Sequence, residues 1–300
     1  MTLIQTVFSA DRVIQVADRR LTWPDGTVAD DEYTKLVCWN ETFSVAFTGI
    51  SRVDRRGHKL TSDWIAELIC DYVSVERGVE ALRRDAEARV ARLRWPDKRL
   101  AIVVAGFDYR CVPIVAEIAN FDTSSGALHD GPQFIARWAH FQLGRRTGAH
   151  AIGAPVRGIE QKLLNRYIPR VLLKDEDNGH NRAIKLLVEN QRRVHEQNRT
   201  VGEDAQAVTI SRERGAFMGV MSNLDGTDIS AKGTNFVYFD KRGFRHKVFG
   251  PLMAQCGQVL DQFTGTAEPN NPDNQSIGFR ILKMPAPPKG AAAKSPFASG

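Results

Sequence analysis

The chain has 300 residues, of which 42% are apolar and 25% charged, with a formal net charge of +6. This is ordinary globular composition with length enough for a sizeable core. No apolar run approaches bilayer length, and the N-terminus lacks a basic region followed by an apolar core, so neither a transmembrane helix nor a signal peptide is expected.

Cys38, Cys70, Cys111 and Cys256 are widely spaced and form no CxxC pair. That argues against a disulfide framework or a zinc site and for buried thiols in a reducing compartment. The expectation is a soluble cytoplasmic protein with no membrane partner. The basic residues are scattered, with Arg52, Arg55, Arg56 and Lys59 in one stretch and Arg83, Arg84, Arg89 and Arg92 in another. The second falls in a helical pattern with an apolar opposite face. It reads as a solvated helix face, and no nucleic-acid partner is expected.

Leu3 to Phe8 and Arg12 to Ala17 read as strands joined by a turn at Ser9-Ala10-Asp11. Trp23-Pro24-Asp25-Gly26 is a strong turn signal. Lys35 to Trp39 and Phe43 to Thr48 form a second hairpin across Asn40-Glu41. Two helices should follow. The first carries Trp64, Ile65, Leu68, Ile69, Tyr72 and Val73 on one face, with Thr61 or Ser62 as cap. The second carries Val79, Leu82, Ala86, Val90 and Leu93.

Leu100 to Phe107 is a continuous apolar run, the pattern of a strand buried on both faces, with Ile114 to Ile118 as partner. A turn at residues 122–126 precedes a further strand within Phe134 to Leu143. Helical spacing returns at Ile159, Leu163, Leu164, Tyr167 and Ile168, with Pro169 expected to end or kink that helix. Another helix carries Ala183, Ile184, Leu187, Val188, Gln191 and Val194. Ala205 to Ile210 and Ala216 to Met221 read as a closing hairpin.

Paired helices between groups of strands argue against an alternating βαβ sheet. They suit an α+β fold of two stacked sheets with a helical layer on each outer side, a four-layer αββα sandwich over residues 2–221. Residues 222–284 form a C-terminal extension with strand character at Asn235 to Asp240 and Arg245 to Phe249, and no assigned place. Residues 285–300 read as a disordered tail.

Five residues carry a family resemblance: Thr2, Asp18, Arg20, Lys35 and Gly49. "VIQVADRRLT" and "KLVCWNETFSVAFTG" resemble the Asp-x-Arg strand and the Lys-bearing hairpin of proteasome β-subunits, which are N-terminal-nucleophile (Ntn) hydrolases. The sixteen positions from Thr2 to Asp18 and the fourteen from Lys35 to Gly49 match that family. Asp18 to Lys35 is one longer, which the loop around Trp23 can absorb. "GAHAIGAP" and "GEDAQAVTI" extend the resemblance more faintly.

The resemblance implies catalysis by Thr2, Lys35 and Asp18 once Met1 is removed. A threonine hydroxyl needs a nearby base, and an N-terminal threonine brings its own α-amine. Lys35 would stabilise an oxyanion or take the hydroxyl proton, Asp18 would orient Lys35, and the Gly49 N–H would face the oxyanion. Arg20 and Asn198 would support. The family's Gly-rich Ser aligns with Ala154, and its late Asp and Ser align with Asn198 and Val201. The implied activity is peptide or amide hydrolysis, without cofactor or metal. A homo-oligomer with a peptide or protein substrate is also implied, and in the family such oligomers often form rings, sometimes with an ATPase partner. A silent Ntn-fold scaffold and a small-molecule amidase stay open as alternatives. "RVHEQNR" holds His195 and Glu196 without a second histidine and reads as helix surface. His129, His140 and His150 show no ligand spacing.

Overall fold

A computed structural model describes residues 2–23, 25–31, 33–129, 133–140, 147–174, 179–212, 218–220, 234–239, 251–266 and 275–284. The protein is α+β. The first hairpin comprises β1 (Leu3–Ser9) and β2 (Arg12–Asp18), with Ile4 opposite Ala17. A small ribbon, β3 (Leu21–Thr22) with β4 (Val28–Asp30), leads to β5 (Leu36–Trp39) and β6 (Phe43–Gly49). Asn40 and Glu41 both take positive φ, 48° and 57°, in a turn where Thr42 N donates to Trp39 O at 3.2 Å; Trp39 pairs with Phe43, so the loop holds three residues.

Then come α1 (Thr61–Ile69), α2 (Val75–Arg92), β7 (Leu100–Phe107), β8 (Pro113–Ala119), β9 (Ile135–His140) and β10 (Thr147–Gly153). The helical segment α3 (Gly158–Lys162) runs through a π-turn (Leu163–Tyr167) into α4 (Ile168–Lys174), and α5 spans Gly179–Gln197. The later strands are β11 (Ala205–Ser211), β12 (Met218–Val220), β13 (Thr234–Phe239), β14 (Leu252–Gln255), β15 (Gln258–Thr266) and β16 (Gln275–Lys283).

One sheet has the order β10-β1-β2-β11-β13-β12 and the other β16-β15-β14-β5-β6-β7-β8-β9. The period of two along each strand divides its side chains between two cores. Ile4, Val13, Ala17 and Val208 pack with Leu36, Ala46, Ala101 and Val103 between the sheets. Val7, Ile14 and Val16 turn the other way, onto Leu164, Ile168, Ile184, Leu187 and Val188. On the second sheet, Val37, Trp39, Phe47, Ile102 and Val104 meet Trp64, Ile65, Ile69, Leu82 and Val90. All eight residues of β7 are buried, as its unbroken apolar run predicts. Gly78 lets α2 rest on the Trp39 indole: a Cβ there would stand 2.2 Å from Trp39 Cη2.

Several expectations change. Neither Thr61 nor Ser62 caps α1, because tertiary acceptors claim both hydroxyls: Thr61 Oγ1 donates to Ile50 O and Ser62 Oγ to Tyr33 Oη. The chain turns after Ile69, so Val73 is 90% exposed rather than on the apolar face. Pro169 ends nothing. The π-turn before it, with Ile168 N donating to Leu163 O, makes room for the ring that an α-turn would drive into a carbonyl. Ile159 and Tyr167 are exposed, while Leu164 and Ile168 carry the packing.

Among the described residues of 216–221, β12 does not pair with β11: β13 lies between them, and β12 runs parallel to β13. Strand pairing at that distance in sequence follows from sheet order, which local pattern does not report. Of the residues left without a place, β13 extends the first sheet and β14 pairs in parallel with β5 in the second. Arg245 to Phe249 and the tail at 285–300 lie outside the described residues, as do Met1 and Pro24. Cys38 and Cys70 are buried, but Cys111 and Cys256 are exposed at turn positions with φ of 58° and 48°.

The basic stretch on α2 is laced by intrahelical ion pairs. Arg83 bonds Glu80 and Glu87, Arg84 bonds Glu80, and Arg89 bonds Asp85. The Arg83 hydrogen bond pulls the Glu80 carboxyl down to about 2. No helix among the described residues is long and apolar enough to cross a membrane.

Candidate active site

The two sheets bring the start of β1, the end of β2 and the residue before β5 to one place. Lys35 Nζ lies 2.7 Å from Thr2 Oγ1 and 3.1 Å from Asp18 Oδ2, and it also donates to Arg20 O. The three side chains are nearly sealed: Thr2 is 6% exposed, Asp18 0% and Lys35 1%.

Asp18 is held as an acceptor on all sides. Leu3 N donates to Oδ1 at 2.8 Å, while Arg20 N and Gly202 N each donate to Oδ2 at 3.0 Å. Such a carboxylate is fixed in orientation. Burial lowers the Lys35 pKa most strongly, the Asp18 carboxylate opposes that, and the Arg20 charge adds to it; the balance is downward from 10.5. A neutral Lys35 can accept the Thr2 hydroxyl proton across the 2.7 Å contact; a charged one can stabilise an adjacent oxyanion.

The Thr2 backbone is clamped from the neighbouring strand. Ala154 N donates to Thr2 O at 2.8 Å. Gly153 (φ 93°) passes so close that a Cβ would stand 1.8 Å from Thr2 O and 3.2 Å from Thr48 Oγ1. The end of β6 therefore borders the Thr2 carbonyl. Gly49 follows there, exposed, with φ of 107°. Its lack of a side chain is dictated by the adjoining strand: a Cβ would stand 1.9 Å from Arg99 O. This is a main-chain reason, distinct from room for a substrate.

Arg20 contributes through its backbone and also through its side chain. Its guanidinium bonds Asp31 Oδ1 at 2.5 Å and Arg199 O at 2.9 Å, joining the ribbon to the segment after α5. Asn198 is positioned differently from expectation. Its Oδ1 accepts from Thr200 N at 3.1 Å and Thr200 Oγ1 at 2.7 Å, and no hydrogen bond to Thr2 exists among the described residues. An Asn two residues before a Thr makes its own local turn. Val201 and Ala154 pack in a small apolar cluster with Val194 and with Leu3, the neighbour of Thr2.

Sequence reasoning missed Gly202, whose N–H bonds Asp18. A Cβ on it would stand 2.8 Å from the Arg20 Cβ, so only glycine permits the approach. It also misjudged His195, which is 3% exposed. The signal was present: Ile184, Val188, Gln191 and His195 follow the i, i+4, i+7, i+11 stripe of one helix face. Among the described residues, no cluster of His, Cys, Asp and Glu is arranged to hold a metal ion.

No protein-family model matches the chain, and no curated protein sequence matches it significantly.

Proposed function

We propose that the chain is an N-terminal-nucleophile hydrolase, a four-layer αββα sandwich of the proteasome β-subunit type, that cleaves peptide or amide bonds through Thr2. The observation that carries this reading is the buried contact of Lys35 Nζ with both Thr2 Oγ1 and Asp18 Oδ2. The resemblance matched Thr2 to Asp18 and Lys35 to Gly49 by spacing, and the three side chains come from separate strand ends.

In this reading, cleavage of the Met1–Thr2 bond frees the α-amine. Thr2 Oγ1 attacks the substrate carbonyl carbon while its proton passes to neutral Lys35 or to the α-amine. The oxyanion is met by the Gly49 N–H, whose loss would cost about 3 kcal/mol of barrier. Collapse expels the protonated amine and leaves an ester on Thr2, which water hydrolyses. A cytoplasmic homo-oligomer, ring-shaped and served by an ATPase partner, is the assembly that the resemblance implies, and a small amide is the alternative substrate.

A second reading, a silent scaffold of the same fold, is favoured by one specific observation. Asn198 is committed to Thr200, and Ala154 and Val201 are apolar, so the usual polar support for the amine is absent from those positions. Intact mass spectrometry with an epoxyketone or β-lactone separates the readings. Loss of Met1 and one adduct on Thr2, absent in Thr2→Ala, is expected. Retained Met1, or equal labelling of Thr2→Ala, eliminates the catalytic reading.

A further inference from the structure

Asp18 receives its hydrogen bond from Gly202, and Gly202 belongs to the segment that joins α5 to β11. That segment is irregular, so its position needs an external cause. Two buried polar side chains on one face of α5 supply it.

His195 Nδ1 lies 2.6 Å from Val201 O, and the carbonyl requires that this nitrogen carry the proton. Its Nε2, then without a proton, accepts from Arg199 Nη1 at 2.7 Å; Glu203 Oε1 stands 2.8 Å from the same nitrogen and receives no hydrogen bond from it in that tautomer. One imidazole thus touches three residues of the segment. One turn earlier, Gln191 Nε2 donates to Gly202 O at 2.8 Å and to Asp204 O at 3.0 Å. The hydrogen-bonded positions along the segment are 199, 201, 202 and 204. The tied segment presents two groups to the site: Gly202 N to Asp18 Oδ2, and Arg199 O to the Arg20 guanidinium. None of these α5 contacts is needed to fill the core, where an aliphatic side chain would bury more cheaply.

We propose that His195, with Gln191 beside it, is a positioning residue that sets the Lys35 proton affinity through Gly202 and Arg20. This rests on the reading of Thr2, Asp18 and Lys35 as a reactive group, but its mechanism concerns the Asp18–Lys35 pair alone. With the segment held, the Gly202 N–H shares the Asp18 charge and the Arg20 guanidinium stays near Lys35. Both effects disfavour the ammonium. With the segment released, the Asp18 charge is less shared and the Arg20 guanidinium is held by Asp31 alone, while Asp30, which also acts on Lys35, is unchanged, so Lys35 holds its proton more tightly.

The test is the titration of the Lys35 side chain, followed by its Cε and Nζ resonances in the full chain, with acylation of Thr2 by a β-lactone read in parallel. His195→Phe fills the space without hydrogen bonds, and Gln191→Leu removes the other tie. Each should move the Lys35 midpoint upward and, where the wild type is acylated, slow acylation at pH 7 roughly tenfold, the worth of one hydrogen bond to a charged group. His195→Asn keeps a donor near the Nδ1 position and should recover much of the wild-type midpoint. If folded His195→Phe or Gln191→Leu titrates at Lys35 as the wild type does, the proposal is overturned. If His195→Phe does not fold, Gln191→Leu decides. A wild type that is never acylated defeats the hydrolase reading and leaves the Lys35 titration to judge this one.

Discussion

Replacing Asp18 by asparagine removes a charge at nearly constant volume, and the structure says what that does. Oδ2 accepts from Arg20 N, Gly202 N and Lys35 Nζ, so the amide oxygen must occupy that position. The amide nitrogen then faces the Leu3 N–H, which donated to Oδ1 at 2.8 Å, and two donors oppose each other without water. Lys35, 1% exposed, loses its counter-charge as well. Breaking a buried pair from one side costs about 3–5 kcal/mol.

Lys35 has an escape, which is to lose its proton. Its folded pKa already lies below the unfolded value of 10.5, so the unfolded chain binds more protons in that window and stability rises with pH. In Asp18→Asn the folded value falls further, and the window widens downward. The variant should therefore be less stable by about 3 kcal/mol at pH 6 and should recover part of that by pH 9. Urea unfolding at both pH values measures it. A loss below about 1 kcal/mol at pH 6, or a deficit that does not shrink with pH, would refute the reasoning.

Two further outcomes follow from the same geometry. Acylation of Thr2 should speed up with pH and level off below pH 10.5, because burial holds the Lys35 pKa down; Lys35→Arg, which cannot deprotonate, should be slower by about 100-fold or more throughout, read by the rate of adduct formation. Gly78→Ala should destabilise by about 1–3 kcal/mol in a urea titration despite the better helix former, because its Cβ would meet Trp39 at 2.2 Å.

The early strands were legible because their period divides between two cores. The Val13 to Ala17 run alternates between inter-sheet and helix-facing positions, and both sides are apolar. Helix α5 was legible for the same reason, down to Gln191 and Val194. His195 was passed over because a histidine beside a glutamate looks solvated, and only the chain returning over it at Val201 buries it. The caps of α1 and the passage through Pro169 turned on which tertiary acceptor or π-turn was within reach.

For the site, the amino-acid sequence by itself determined the candidate residue types and their separations along the chain. Thr2, Asp18 and Lys35 stand where three strand ends require them, and hairpin geometry makes such separations meaningful. Tertiary structure decided what surrounds them. That Asp18 is satisfied by Gly202, that Asn198 turns to Thr200, and that β13 and β14 join different sheets all depend on contacts between residues far apart in sequence. Local periodicity reports which face of an element is apolar; it carries no information about which distant backbone group arrives to bond it.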